Sequence, residues 1–185
     1  LSLFEDHKGR IWVGTLDDGL YWLDKEIDGI HHCLKDETVN SIFEDSRHSF
    51  WVATNNGLLD FDRETNNYIR ILNERSVISD ESNQTVDGTL WVGTQNKGLA
   101  KIIPNQDKNS HKIQFYTQLG ADSKSGQFQI NRLCIDPNNN IWIGTNGNGL
   151  FMLPFAESKK EPSVAHFQCL KSDVNDLFSF SGNNY

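Results

Sequence analysis

Polar side chains that could bind a ligand gather in four short turns, each of which follows an apolar segment containing Trp. These turns hold Asp17-Asp18, Asn55-Asn56, Gln95-Asn96-Lys97 and Asn146-Gly147-Asn148, and the candidate ligand-binding residues among them are Asp17, Asp18, Asn96, Lys97 and Asn146. Carboxylates and amides can hydrogen-bond the hydroxyl groups of a sugar, whereas short turns are also polar for reasons of geometry alone. The turns are therefore a candidate ligand-binding face, with the purely structural interpretation left open.

A second cation adds to this candidate site. Arg132 stands where the preceding similar segment has Ser41, and its guanidinium is a bidentate donor for acidic ligands. We predict that Arg132, Lys97 and the insertion at 120–127 form one side of a ligand cleft. A salt bridge from Arg132 to an acid such as Asp176 is the structural alternative.

Other arrangements of reactive residues do not meet the requirements of metal binding or catalysis. In His31-His32-Cys33, adjacent strand residues point to opposite faces, and no further ligand has suitable spacing. The loop that begins at Asp136 starts like a calcium site, but Ile141 occupies the position of its required Gly. No order of Ser, His and Asp selects a nucleophile. The sequence predicts no catalytic residue, no metal and no cofactor.

A repeat explains where the turns lie. Four tryptophans occupy equivalent positions 39, 40 and 51 residues apart, in the segments IWVGT, FWVAT, LWVGT and IWIGT. They are Trp12, Trp51, Trp91 and Trp142. A Gly-Leu pair follows each of them, at Gly19, Gly57, Gly98 and Gly149. We expect Trp to fill the space between neighbouring sheets, the small residue two positions later to make room for it, and the later Gly to adopt positive φ.

Each repeat thus predicts four short strands, and radial stacking of four-stranded antiparallel sheets is a β-propeller. We predict an all-β propeller arc with blades at 1–38, 39–76, 77–129 with an insertion, and 130–173. The inner strand of an incomplete fifth blade would lie at 174–185. The sequence starts and stops at the same phase of its repeat, which indicates a fragment of a larger propeller. A closed four-bladed ring is the alternative.

Three details of the strands stand apart from the main pattern. Polar residues at 79–85 occupy the predicted inner strand of the third blade. Either the strand shifts to Val77-Ile78 or a polar window opens on the channel. Cys33 and Cys169 are each followed by Leu-Lys, and buried free thiols explain both. Asn40, Asn131 and Asn175 start inner strands and are expected to tie turns through their side chains.

Composition excludes several classes of protein. The 185 residues carry a net charge of −8, 37% hydrophobic residues and 11% aromatics, which fits one folded domain and not a disordered chain. Acidic charge without a basic run argues against nucleic-acid partners and anionic membrane surfaces. No segment approaches the 18 apolar residues that a membrane helix requires, so we expect no membrane insertion of this segment.

The segment Leu3–Thr15 and the turn Phe61–Thr65 resemble the two-component regulator propeller repeat. The resemblance implies a periplasmic sensor domain of an inner-membrane hybrid histidine kinase, which binds an oligosaccharide or a partner surface and is not itself an enzyme. The remaining blades of its own propeller, or a second copy in a homodimer, would be its protein partners. A streptogramin-lyase-like enzyme is one alternative, although the His residues lie outside the predicted inner strands. A purely structural or dimerisation propeller is the other.

Overall fold

The computed structural model describes residues 2–24, 29–78, 85–105, 110–119 and 129–170. Sixteen strands in this part of the chain form four antiparallel sheets of four strands each. Its helical content is limited to two single 3₁₀ turns, at Glu157–Lys159 and Pro162–Val164. The predicted all-β propeller class is therefore confirmed. No described helix has the length and apolarity needed to cross a membrane.

In each sheet the strands follow one another in chain order. The first sheet contains β1 Ser2–Glu5, β2 Ile11–Gly14, β3 Leu20–Leu23 and β4 Ile30–Cys33. The second contains β5 Val39–Glu44, β6 Phe50–Thr54, β7 Gly57–Phe61 and β8 Tyr68–Leu72. The third contains β9 Ser76–Val77, β10 Leu90–Thr94, β11 Leu99–Pro104 and β12 His111–Tyr116. The fourth contains β13 Ile130–Ile135, β14 Ile141–Thr145, β15 Leu150–Leu153 and β16 Gln168–Leu170.

The chain divides into two compact units, Leu1–Asp80 and Glu81–Tyr185. In the first unit, Trp12 is fully buried and its ring centroid lies 4.6 Å from that of Phe50 and 6.0 Å from that of Phe61. One face of the first sheet therefore packs against the second sheet. Gly14 lies on this packed face, and a Cβ there would overlap a methyl carbon of Val39. The small residue thus makes the close approach of the two sheets possible.

In the second unit, Trp91 packs with its ring centroid 5.5 Å from that of Tyr116. The segment between β15 and β16 covers this pair. The Tyr116 hydroxyl lies 3.3 Å from the Ser158 carbonyl oxygen, which also accepts a 2.6 Å hydrogen bond from the buried Lys101 ammonium. Burial is the main cause that lowers the pKa of Lys101. Phe167 contacts the Tyr116 ring edge-to-face at 5.9 Å.

The repeated tryptophans and glycines have the burial and backbone conformation that the sequence predicts, except that one tryptophan is less buried than the others. Trp12, Trp51 and Trp91 are at most 1% exposed, whereas Trp142 is partly exposed. The glycine at or just before the start of the third strand has positive φ in every sheet, namely 77° at Gly19, 149° at Gly57, 74° at Gly98 and 91° at Gly149.

The irregular details also have structural explanations. β9 is Ser76–Val77, in agreement with the shifted-strand alternative for the third blade. Asn40 lies at a bulge in β5, and its side chain donates to Asn55 Oδ1 and the Ser76 carbonyl, both at 3.1 Å. A matching bulge lies at Asn131. Asn175 and the proposed strand at 174–185 lie outside the described residues.

The prediction of two equivalent buried thiols is wrong for Cys169. Cys33 is buried and pairs with Leu20, the first residue of β3. The first residue of β15, Leu150, instead pairs with Leu170, so Cys169 is offset by one residue and pairs with Phe151. A one-residue offset moves a side chain to the other face of a strand, and Cys169 is exposed.

Candidate functional site

The turn between the first and second strands has the same backbone geometry in all four sheets. Its first residue hydrogen-bonds the residue four positions later, as Asp6 N–H does with the Arg10 carbonyl. In three sheets this first residue is Asp and stands six positions before Trp. Its carboxylate accepts the indole N–H, at 3.0 Å for Asp6, 3.1 Å for Asp45 and 3.0 Å for Asp136.

These turns can be predicted from the sequence, whereas the carboxylate–indole bond becomes apparent in the structure. In the first sheet, burial by itself raises the pKa of Asp6, but hydrogen bonds from Trp12 and Arg10 outweigh it and lower the pKa to about 2. In the third sheet Thr85 takes the position of the Asp. No acceptor for the buried Trp91 Nε1 lies among the described residues.

The predicted ligand face lies at the other end of each sheet, in the turns between the second and third strands. The Thr that ends each Trp segment shapes these turns. Thr15, Thr94 and Thr145 donate their hydroxyls to the carbonyls of the glycines four positions later, at 2.9, 2.8 and 2.6 Å. The turn residues therefore project from a fixed frame, and Asp17, Asp18, Asn96, Lys97 and Asn146 are all exposed.

Several of these candidates already contact nearby strands. Asp18 accepts the Tyr21 hydroxyl, and its backbone carbonyl lies 2.6 Å from His32 Nε2. The Asn146 side-chain amide donates to Gln129 Oε1 at 3.3 Å. Arg132 is exposed on β13, where its guanidinium bonds the neighbouring Asn131 carbonyl at 3.2 Å. The 120–127 segment and Asp176, the predicted partners of Arg132, lie outside the described residues.

Lys97 is the predicted residue that lies beside a pocket. Its ammonium group lies 5.5 Å from the centroid of the Phe115 ring. Phe115 lines an open pocket of about 420 Å³, and a second pocket of about 340 Å³ shares Gln118, Pro162 and Ser163 with it. Both lie between the end of β12 and the segment that joins β15 to β16.

The lining of these pockets mixes apolar and hydrogen-bonding side chains. Besides Phe115, the apolar lining includes Pro162, Val164 and Phe167. The hydrogen-bonding lining consists of Thr117, Gln118, Ser163 and His166. Sequence reasoning placed the functional insertion in the third blade and missed the segment at 154–167, because it has no repeat motif of its own.

A second surface is the outer face of the first sheet. Its residues Leu3 and Ile30 are 73% and 69% exposed. By the repeat, Leu3 corresponds to Ile42 of the second sheet, which is 4% exposed because the Trp12 face of the first sheet covers it. The same kind of apolar face is thus covered in one sheet and bare in the other.

Comparison with known proteins agrees with this architecture. The family model described as "Two component regulator propeller" matches residues 1–17, 33–56 and 123–147. Three segments of the chain thus match this repeat. The matched segments include the Trp strands of the first, second and fourth sheets and none of the described third sheet, in which Thr85 replaces the Asp of these repeats.

Whole-chain relatives are much longer than this chain. It is 31% identical over 94 residues to histidine kinase P4 of Formosa agariphila, which corresponds to 42% of this chain and 7% of that protein. The extracellular domain of the two-component system BT4673 of B. thetaiotaomicron superposes with a TM-score of 0.69 at 18% identity. That match covers 99% of this chain and 23% of the other.

The same fold also occurs in another setting. PorZ, a surface component of the type-IX secretion system of Porphyromonas gingivalis, superposes with a TM-score of 0.65 at 14% identity. That match covers 100% of this chain and 28% of PorZ. Because one fold serves several functions, these two superpositions show the fold alone. The prediction that this segment is not an enzyme is confirmed by its match to regulator propellers, and histidine kinase activity belongs to the much longer relative.

Proposed function

We propose that this chain is a sensor segment in the periplasmic part of a hybrid two-component histidine kinase of the inner membrane. The match of three segments to the regulator propeller repeat carries this proposal. The extracellular neighbour from a two-component system and the partial match to a histidine kinase support it. In this proposal the segment recognises a signal, and the catalytic domains lie elsewhere in the protein.

The signal we propose is an oligosaccharide, and the pocket beside Lys97 supports it. A sugar ring has apolar C–H faces and a rim of hydroxyl groups. The Phe115 ring offers an apolar surface for such a face, and Thr117, Gln118 and Ser163 offer hydrogen-bonding groups beside it. At about 420 Å³ the pocket falls within the size range of small-molecule sites.

The two cations in this proposal favour an acidic sugar. Lys97 is adjacent to the pocket through its contact with Phe115. Arg132 remains the proposed anchor at the entrance of the fourth inner strand, where its guanidinium is exposed. Asn96 and Asn146 are proposed as hydroxyl-binding residues of the second unit, and Asp17 and Asp18 as hydroxyl-binding residues of the first.

Calorimetric titration tests this function, with a panel of neutral and acidic oligosaccharides added to the chain. We expect saturable binding of an acidic member of the panel. Lys97→Ala and Arg132→Ala should each weaken it at least about tenfold, because a hydrogen bond to a charged group contributes about 1.5–3 kcal/mol. Gln118→Ala should weaken it by a smaller factor.

Lys112→Ala is the matched control. Lys112 is exposed on β12, the strand that contains Phe115, but it does not line either pocket. Its replacement should leave the affinity unchanged. Unchanged affinity in folded Lys97→Ala and Arg132→Ala variants would contradict the proposed site, and absence of binding across the panel would contradict the oligosaccharide ligand.

We also propose that the outer face of the first sheet receives another blade of the same propeller. The second sheet provides the template, since its corresponding face is covered by Trp12 and its neighbours. The remaining blades are the proposed occupant, and a second copy of the chain is the alternative. Leu3→Asp should weaken binding of the chain to a separately produced segment that carries the remaining blades. Sedimentation velocity of the chain alone tests the alternative, because it distinguishes a dimer from a monomer.

A further inference from the structure

Two turns of the first unit bring together three side chains that can ligate a metal ion. His7 lies in the turn between β1 and β2, and His48 in the equivalent turn between β5 and β6. Glu44 is the last residue of β5. In sequence, Glu44 is 37 positions from His7 and 4 from His48, and only the packing of two consecutive sheets makes the three residues neighbours.

Both imidazoles approach the same carboxylate oxygen. His48 Nδ1 lies 3.1 Å from Glu44 Oε1, and His7 Nδ1 also contacts this atom. The two rings lie side by side with centroids 4.1 Å apart. The three ligand atoms all lie within 4.8 Å of one another. Ligands on a tetrahedral ion with bonds near 2 Å are separated by about 3.3 Å, so small side-chain rotations bring these atoms into position.

The carboxylate is held in place by groups that leave it able to bind an ion. The side chain of Glu44 is only 6% exposed. Its Oε2 accepts the His7 backbone N–H at 2.9 Å, and its Oε1 accepts the Arg63 guanidinium at 3.0 Å. Arg63 also contacts Asp6 at 3.2 Å. Because a carboxylate oxygen has two lone pairs, Oε1 can keep Arg63 and accept an ion as its second partner.

The backbone at His48 is an independent observation. His48 has a φ of 65°, in the left-handed region, at the turn position where the first and third sheets have Gly9 and Gly88. Glycine adopts this region most easily, and His is enriched there together with Asn and Asp. In this conformation His48 Nδ1 lies 3.1 Å from Glu44 Oε1.

We propose that His7, Glu44 and His48 bind a divalent transition-metal ion such as Zn²⁺. Two imidazole nitrogens and one carboxylate are a donor set that suits zinc and related ions rather than Ca²⁺ or Mg²⁺, which prefer oxygen ligands. The ion links the turns of two consecutive blades and keeps a fourth position open to solvent. This site is separate from the proposed sugar site and does not depend on the sensor function.

Calorimetric titration of the chain with Zn²⁺ tests the proposal. We expect saturable binding of one ion per chain. His7→Asn and His48→Gly should each lower the affinity at least tenfold, because even the loss of a residue behind a metal ligand lowers affinity about 10–100-fold. Co²⁺ in place of Zn²⁺ should give a visible absorption band that both variants lose.

His48→Gly keeps the test independent of misfolding. Glycine adopts the left-handed region most easily, so this variant should unfold at the same urea concentration as the native chain or a higher one while it loses the ion. His166→Asn is the control, because His166 is a histidine of the second unit, far along the chain from both turns. The proposal is wrong if the native chain shows no saturable binding up to about 1 mM Zn²⁺. It is equally wrong if His48→Gly binds as tightly as the native chain.

Discussion

The indole of Trp91 provides a test of the carboxylate that precedes the other repeated tryptophans. Trp91 is 1% exposed, and its Nε1 has no acceptor among the described residues. Replacing Thr85 with Asp supplies the missing acceptor. Asp87 would then lie two residues from a second carboxylate, so the variant also carries Asp87→Asn. The double variant gives this turn the residues of the fourth sheet, Asp136 and Asn138.

The expected effect follows from the bonds that change. A buried N–H without an acceptor costs about 1–3 kcal/mol, and a hydrogen bond to a charged acceptor contributes about 1.5–3 kcal/mol. The variant loses the bond from the Thr85 hydroxyl to the Asp87 carboxylate, which also contributes about 1.5–3 kcal/mol, and the exposed pair of Asp87 with Lys159, which contributes about 1 kcal/mol or less. Because gains and losses in overall stability overlap, the informative quantity is the coupling between the introduced carboxylate and the indole, which we expect to be about 2 kcal/mol.

A double-mutant cycle with Trp91→Phe measures this coupling. Phe removes the indole N–H, so it should cost about 2 kcal/mol more in the Thr85→Asp/Asp87→Asn background than in the native chain. Urea denaturation followed by circular dichroism gives the four free energies of unfolding, and Asp87→Asn alone is the control. A coupling below about 0.5 kcal/mol would refute the idea that the carboxylate acts through the indole.

Three further predictions concern other positions. Burial and the nearby carboxylate of Asp45 raise the pKa of Asp60 to about 6. The folded chain therefore holds this proton more tightly than the unfolded chain, and the free energy of unfolding falls as the pH rises from about 4 to 6. Asp60→Asn should therefore be more stable than the native chain at pH 7, by about 1–3 kcal/mol in urea denaturation, and equally stable at about pH 3. Burial raises the pKa of the Cys33 thiol to about 11. At about pH 8 a thiol reagent should therefore label the two exposed cysteines at once and Cys33 only after unfolding. Fast labelling of all three cysteines would contradict the burial of Cys33. Gly14→Ala should destabilise the chain by about 1–3 kcal/mol through overpacking, and unchanged stability would show that the neighbouring sheet yields easily.

The sequence predicted those parts of the fold that depend on local pattern. The Trp segments and Gly-Leu pairs repeat within one chain, so four strands per blade and the positive φ of the turn glycines could be inferred from spacing. The carboxylate–indole bond is local too, and the Asp six residues before Trp51 was a signal that could have revealed it. In the third sheet Thr85 stands at this position, so the Asp is not present in every repeat.

Contacts between sheets could not be predicted in the same way. His7 and Glu44 are 37 residues apart, and neither belongs to a metal-binding motif. The segment at 154–167 contacts the third sheet through backbone carbonyls such as that of Ser158. Every residue type has this group, so the sequence does not indicate the contact. Lys97 was selected for its turn and its charge, but its position above Phe115 depends on how β11 and β12 pair.

The shared frame of the turns before the Trp strands has a consequence for how such proteins diversify. The bonds between the first residue and the residues three and four positions later hold each turn, whatever side chains stand between them. Natural variation can therefore exchange those intervening residues without loss of the blade. His7 and His48 lie within two such turns, so lineages can gain or lose each histidine by one substitution while the propeller is inherited intact.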